Sequence, residues 1–303
     1  MPSRHCRTRG FTLVELLVAI LVVAIIGGAV ISLFVLFSGH FEGSSAIVSA
    51  RQKGAMALAV LEGPVLHSGL AMPNASADLE AAFPGLLAPT NVLGTGWNEP
   101  LMVRPEGDNP GAVLRLLYAL PSGVQVESVD VEGKTLHLTA PISMAERFED
   151  RASTVKGWVL LPVASAPMRY QSGSAVARTL TVTDGTDTAL LASIARYDEI
   201  HYLRALEVKV GNGSLTGREP SFGGAQPLVE GIAWVHFRLD EDRDILEVLI
   251  VAAGDKRSGK VRYASPRDIP GWPSEIPVSA FADFDRWKDR YLVLLRRSWR
   301  IRN

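Results

Sequence analysis

The sequence predicts an α+β protein in which one long N-terminal helix packs on a β-rich C-terminal head. Residues 16–37 form a 22-residue run without charge, interrupted only by Gly27, Gly28 and Ser32. An apolar stripe with helical spacing follows this run directly. Further along the chain, short runs of strand-forming residues recur between turn signals. We therefore expect a two-part helix followed by a head over residues 67–303.

The apolar run is long enough to cross a membrane. About 20 apolar residues, rising about 1.5 Å each, span a hydrocarbon core of about 30 Å. A secretory signal peptide has a shorter apolar region and ends in a small-x-small cleavage site, whereas Ser38-Gly39-His40-Phe41-Glu42 follows here. Arg4, Arg7 and Arg9 precede the run, so the positive-inside rule predicts a cytoplasmic N-terminus. We expect residues 11–38 to form a transmembrane helix.

The helix is expected to continue over residues 39–66 as an amphipathic segment. Apolar or small residues recur there at spacings of three or four, at Ile47, Ala50, Gly54, Leu58, Leu61 and Val65. Such a stripe occupies one helix face and predicts packing on the head. Gly63-Pro64 is expected to kink or end the helix.

The head is predicted to consist mainly of strands. Nine runs rich in β-branched and other apolar residues have strand character: 112–120, 123–131, 134–140, 157–164, 177–183, 198–206, 231–239, 245–253 and 290–302. Residues 71–111 are rich in Pro, Gly and Asn and are predicted to be mostly loop.

The formal net charge of −1 argues against bulk attraction to nucleic acid, which is an unlikely partner. The charge is nevertheless uneven. Residues 39–254 hold 16 basic and 25 acidic residues, a net of −9, and residues 255–303 hold 12 basic and 6 acidic residues, a net of +6. Cys6 is the only cysteine, which excludes an intramolecular disulfide.

A carboxylate, Glu15, lies at the start of the apolar region. On insertion scales a carboxylate costs on the order of 2.5–3.5 kcal/mol at mid-bilayer and less near an interface. A contact with lipid headgroups alone would explain Glu15. Its surroundings indicate more, because a short basic leader ends in Gly10, Phe11 follows, and Glu15 lies four residues beyond Phe11.

This pattern resembles the processing site of type IV prepilins and the related pseudopilins. The resemblance implies that prepilin peptidase cleaves the leader, residues 1–10, after Gly10 and methylates the new amino group of Phe11. It also implies an assembly role for Glu15. The carboxylate would pair with the Phe11 ammonium of a neighbouring subunit, and this pairing would offset the desolvation of both charges.

The distal segments "PLVEGIAWVHFRL" and "LLRRSWRIRN" resemble the closing part of PilW-type minor pilins. The resemblance implies a low-abundance type IV pilus subunit that takes part in pilus assembly. Its partners would be prepilin peptidase, other pilins, the inner-membrane assembly platform and membrane lipid. It would be a single-pass inner-membrane protein with a periplasmic head, later incorporated into a pilus. A pseudopilin of a type II secretion system and a membrane-anchored periplasmic enzyme or sensor are the alternatives.

No catalytic or cofactor-binding motif is found, and we expect a non-enzymatic protein without a cofactor. The sequence lacks G-x-S-x-G and H-E-x-x-H, and its six histidines show no metal-ligand spacing. Asp240, Asp242 and Asp244 have the D-x-D-x-D spacing of some calcium loops. Ile245 and Val251 stand where the EF-hand pattern needs Gly and Glu, so we expect a solvated hairpin turn.

The last predicted strand carries a basic stripe. Arg296, Ser298, Arg300 and Arg302 share one face in a strand of period two. The stripe is either a solvated sheet face or an anion-binding surface for DNA phosphates or an acidic partner subunit.

Overall fold

One long helix and a two-sheet head make up the part of the chain that the structure describes. The structure is a computed structural model, and it describes residues 12–72, 79, 97, 99–141, 154–164, 166–173, 178–183, 188–220 and 224–301. The helix α1 spans Leu13–Leu66, and the remaining regular structure is mostly antiparallel strand. The predicted α+β class with a β-rich head is confirmed.

Helix α1 is continuous over 54 residues and passes through Gly27-Gly28 without interruption. Pro64 lies inside its last turn, and the helix ends two residues later at Leu66. The residues that α1 buries all lie in its second half, at Gly43, Ala46, Ala50, Gly54, Ala57, Leu58, Leu61 and Val65. Five of the six predicted stripe positions are therefore buried, and Ile47 is only partly covered.

The described head contains twelve strands, one short α-helix and three 3-10 helices, at Pro266–Asp268, Val278–Ala280 and Phe284–Arg286. The strands are β1 (Leu101–Glu106), β2 (Asn109–Asp130), β3 (Thr135–Leu138), β4 (Thr154–Leu161), β5 (Ala166–Gly173), β6 (Thr179–Val182), β7 (Glu199–Gly211), β8 (Ser214–Arg218), β9 (Gln226–Glu230), β10 (Ile232–Asp240), β11 (Ile245–Arg257) and β12 (Arg290–Arg300); helix α2 is Thr188–Ser193. Strand β1 lies inside the region predicted as loop. Strands β5, β8 and β9 were not among the predicted runs.

Strands β1 to β9 form one sheet in the order β1-β2-β3-β6-β5-β4-β7-β8-β9, and β2 also pairs with β7. Among the described strands, β2, β3, β6, β5, β4 and β7 thus form a closed ring. Its interior is filled by an apolar cluster: Val124, Val126, Leu136, Leu138, Val159, Leu161, Met168, Leu180, Val182, Leu191, Ile194, Ile200 and Tyr202. We call these six strands the ring.

Strand β2 joins two parts of the head. Two separate strands were predicted at 112–120 and 123–131, but β2 is one strand with an irregular register between Pro121 and Gln125. Gly123 has a φ of +75° there, which glycine adopts without a Cβ clash. The Pro-Ser-Gly signal is therefore a bulge inside a strand, because the neighbouring β7 pairs on both sides of it.

The second sheet has the order β10-β11-β12 and is covered on both faces. One face joins the second half of α1 and the strands β1, β2, β7, β8 and β9 in the largest apolar core, which includes Leu58, Leu61, Leu114, Val248, Ile250 and Trp299. The other face is covered by the segment between β11 and β12, through Ile269, Ile276, Phe281, Phe284 and Trp287. Burial on both faces explains why residues 248–253 of β11 are all apolar.

Candidate functional site

The N-terminal end of α1 is closed by a reciprocal cap between Thr12 and Glu15. The backbone amide of Glu15 donates to Thr12 Oγ1 at 3.3 Å. In return, Glu15 Oε2 accepts from the Thr12 backbone amide at 3.0 Å and from the Thr12 hydroxyl at 2.9 Å. The carboxylate also faces the partial positive charge at the helix N-terminus. In the single chain, Glu15 therefore already has partners.

Thr12 was missed as a site residue by the sequence reasoning, although a signal was available. Thr12-Leu13-Val14-Glu15 has the T-x-x-E spacing of a capping box immediately before an apolar run. Gly10 and Phe11, the predicted cleavage and methylation positions, lie outside the described residues. Phe11 is adjacent to Thr12 in sequence, so an amino group created there would arise next to this cap.

The first part of α1 is an apolar helix that buries no side chain against the described residues of the head. None of its side chains from residue 13 to residue 42 is buried, although most of them are aliphatic or aromatic. By length and composition, this part of the helix can cross a membrane. No other described part of the chain lies within 4 Å of the Cβ position at Gly27 or Gly28, so no packing contact among the described residues explains them.

The second half of α1 approaches the head closely at three glycines. A Cβ at Gly43 would lie 2.6 Å from Tyr291 Oη, and one at Gly254 of β11 would lie 2.6 Å from the Ala46 carbonyl oxygen. A Cβ at Gly54 would collide with Leu295 of β12. The small residues of the helix stripe thus allow backbone-level packing of helix on sheet.

Three ion pairs join the same half of α1 to the head. Glu42 pairs with Lys256 at 2.9 Å, and Glu62 pairs with Arg297 at 2.5 Å. Between them, Lys53 pairs with Asp255, which also accepts from the Ser49 hydroxyl. Hydrogen bonds from Lys53 and then from Ser49 lower the pKa of Asp255. The helix is therefore held by charge as well as by apolar packing.

The basic stripe of β12 is partly engaged within the head. Arg296 pairs with Glu247, a buried carboxylate that also pairs with Arg238 at 2.5 Å. Arg300 is exposed and has no carboxylate partner in the described ranges. Arg302 lies outside them. Anion binding by this stripe stays a prediction.

The acidic triplet forms a turn between β10 and β11. Asp240 ends β10, Asp244 precedes β11 with a φ of +53°, and Arg243 pairs with Asp240 at 3.8 Å. Within the part of the chain that the structure describes, no group of three or more His, Cys, Asp or Glu side chains is arranged to hold a metal ion.

The comparisons with known proteins identify the N-terminal segment. Residues 6–31 match the family model described as the prokaryotic N-terminal methylation motif. No curated protein and no solved structure matches the chain. The motif implies processing by prepilin peptidase and assembly with other pilins, and it points to a structural subunit rather than an enzyme. The chain therefore carries a type IV pilin-like prepilin processing site at its N-terminus.

Proposed function

We propose that this chain is a non-enzymatic, low-abundance subunit of a type IV pilus that takes part in pilus assembly. The proposal rests on one observation. Residues 6–31 match the methylation motif, and the helix that begins within this segment exposes the apolar side chains of its first part. Prepilin peptidase would remove the leader, residues 1–10. Residues 11–38 would then anchor the chain in the inner membrane, and residues 39–66 would carry a periplasmic head over residues 67–303.

The choice of a minor pilus subunit over a secretion pseudopilin rests on two features of the sequence. The distal strands resemble those of PilW-type minor pilins, and a head of this size is large beside a typical major pilin. Gene neighbourhood tests this choice. Retraction ATPase and adhesin genes nearby would support the pilus, whereas genes for a secretin and exported enzymes would contradict it.

Processing is tested by intact-mass and peptide mass spectrometry of the protein purified from a host with an active prepilin peptidase. We expect a mature chain that begins with N-methyl-Phe11. Gly10→Ala should block cleavage and leave the full leader attached. An intact Met1 in the unchanged protein, or a cut after residue 38, would overturn the proposal.

The proposed assembly role of Glu15 rests on the exchange of its partners. Among the described residues of the single chain, Thr12 contacts the carboxylate through neutral donors. After cleavage, the ammonium of a neighbouring subunit's Phe11 would supply a charged donor, which makes a stronger hydrogen bond than a neutral one. Within a bilayer, this pairing would relieve the desolvation of both charges.

Variants of Glu15 separate charge from hydrogen bonding. We expect Glu15→Gln to be processed and retained in the membrane but to lose co-purification with its fellow pilins. Glu15→Asp should still co-purify with the other pilins, because the charge remains. Wild-type assembly by Glu15→Gln would show that the charge is not required, and wild-type assembly by Glu15→Ala would show that the carboxylate only contacts headgroups.

A further inference from the structure

A basic cleft lies where α1 leaves the proposed membrane span. The cleft has a volume of about 530 Å³. Helix residues Gly39 and Glu42 line one side, and the end of β11 with the turn that follows it, residues 256–263, lines the other together with Tyr291. The lining cations are Lys256, Arg257, Lys260 and Arg262. Glu42 is the one carboxylate among the described lining residues, so four cations and one anion give a net charge of +3.

The depth of this cleft follows from its position on the helix. Gly39 and Glu42 lie two and five residues after Phe37, the last residue of the apolar run. At about 1.5 Å per residue they lie about 3 Å and 8 Å beyond the end of the run. The headgroup layer adds about 5–7 Å to each side of the hydrocarbon core. The cleft is therefore at the level of lipid phosphates.

Two of the lining cations are available to a ligand. Lys256 already pairs with Glu42 at 2.9 Å, and Arg257 lies 3.6 Å from a carboxylate oxygen of Asp289. Lys260 and Arg262 are exposed, and neither has a carboxylate partner within the described residues. The Arg262 guanidinium stacks over the Tyr291 ring, 3.6 Å from its centroid, which leaves its edge free to donate.

The turn that carries these cations is fixed to the head. The backbone amide of Ser258 donates to the Asp289 carbonyl and that of Arg262 donates to the Lys288 carbonyl, both at 2.8 Å. Gly259 allows the tight turn between them with a φ of +69°. The cations are therefore presented by a constrained backbone, not by a free tail.

One exposed apolar side chain lies between the cations. Val261, flanked by Lys260 and Arg262, is 62% exposed. Apolar side chains flanked by Lys and Arg are typical of surfaces that lie in the membrane interface, where the apolar group enters the acyl boundary and the cations meet phosphates.

We propose that this cleft binds the headgroup phosphates of anionic phospholipids in the bilayer that α1 crosses. The proposal rests on the membrane placement given under Proposed function. Lys260 and Arg262 would bind the phosphate oxygens while Val261 contacts the acyl boundary. The head would then be held against the outer face of the membrane at a second point besides its helix. The cleft contains four of the twelve basic residues of the segment 255–303.

The test uses the full chain in lipid nanodiscs. One set of discs contains phosphatidylcholine alone, and the other contains an equimolar mixture of phosphatidylcholine and phosphatidylglycerol. Hydrogen–deuterium exchange is followed in peptides that cover residues 256–263. We expect slower exchange in the anionic discs. Each Lys or Arg near an anionic surface strengthens binding about fivefold. Lys260→Ser with Arg262→Ser should therefore weaken the binding of anionic lipid by the cleft about 25-fold and abolish the difference in exchange between the two sets of discs.

The matched control is Arg196→Ser with Arg243→Ser, which removes the same charge from exposed positions. Arg243 precedes β11, whereas the cleft follows its other end, about 40 Å away for an extended strand of this length. We expect this control to keep the protection. Equal exchange in both discs, or equal protection in the Lys260/Arg262 variant, would overturn the proposal. Slower exchange of residues 256–263 when inorganic phosphate is added in detergent without lipid would also overturn the proposal. Failure to co-elute with discs would instead contradict the membrane placement.

Discussion

His236 forms a buried polar link between two strands of the head. Its Nδ1 lies 2.8 Å from Asn109 Oδ1, so the ring must donate this hydrogen bond. Asn109 in turn donates to the Val235 carbonyl at 2.8 Å. Burial lowers the pKa of His236, and the nearby Arg238 guanidinium lowers it further. The start of β2 is thus fastened to β10 by a neutral imidazole.

This link predicts a loss of head stability in mild acid. The pKa of His236 in the folded protein lies below the ordinary value of about 6.5. The contribution of the neutral ring to the free energy of unfolding is therefore complete above about pH 6.5 and is lost as pH falls through the folded pKa. The loss in the free energy of unfolding approaches about 1.4 kcal/mol for each unit by which the folded pKa of His236 lies below its ordinary pKa. Denaturant unfolding in detergent between pH 7.5 and 5 should show it.

Two variants attribute the effect to this histidine. His236→Gln retains a donor for Asn109 and should flatten the pH dependence. The exposed His137→Gln should leave it unchanged. An unchanged slope in His236→Gln would show that other groups cause the acid loss.

At the same scale, the sequence predicted the local features better than the distant ones. Glu15 could be identified from its neighbours in the chain, because the processing motif and the cap are both local. The pairing of Arg296 with Glu247 could not be predicted, because 49 residues separate the partners and only the register of β11 against β12 brings them together.

At the scale of elements, the helix–sheet contact depends on the absence of a side chain at Gly54. Apolar spacing predicted the stripe but did not explain why a glycine belongs to it. The close approach of Leu295 supplies that reason. Similarly, the sequence predicted strands where apolar residues are dense. It did not predict the short strands β8 and β9, because each buries only part of its residues.

Gly54→Ala is expected to destabilise the head by about 1–3 kcal/mol, because the new Cβ forces Leu295 or the helix to move. Gly63→Ala is the matched control in the same half of α1. Its Cβ would meet nothing within 4 Å, so the change should be neutral or stabilise the helix by up to about 1 kcal/mol. Thermal unfolding of both variants in detergent measures the difference. Equal midpoints would contradict the close approach.

At the scale of the whole molecule, the head is expected to fold without the apolar part of α1. Because the described residues before Gly43 bury no side chain, a chain of residues 40–303 should remain monomeric in the absence of detergent and unfold cooperatively. Gel filtration and near-ultraviolet circular dichroism check this. Aggregation, or loss of the tertiary signal, would show that the first part of the helix supports the head.

The architecture of the head could be predicted from the sequence only in outline. Class and order of elements followed from periodicity and turn signals. Closure of the ring did not, because it depends on β2 pairing with β7 about 80 residues later in the chain. No local pattern records such a contact. The Pro121–Gly123 segment even suggested a chain reversal at the point where β2 passes from one core to the other.

The continuity of β2 and β7 has a mechanical consequence. The chain enters the ring along β2 and leaves it along β7, and these two strands are hydrogen-bonded to each other along their shared length. A tensile load between the ring and helix α1 would therefore run along two paired backbones, where many hydrogen bonds share it, instead of stretching an unpaired connecting segment. A protein built this way would transmit a pull on the ring directly to the core that packs on α1.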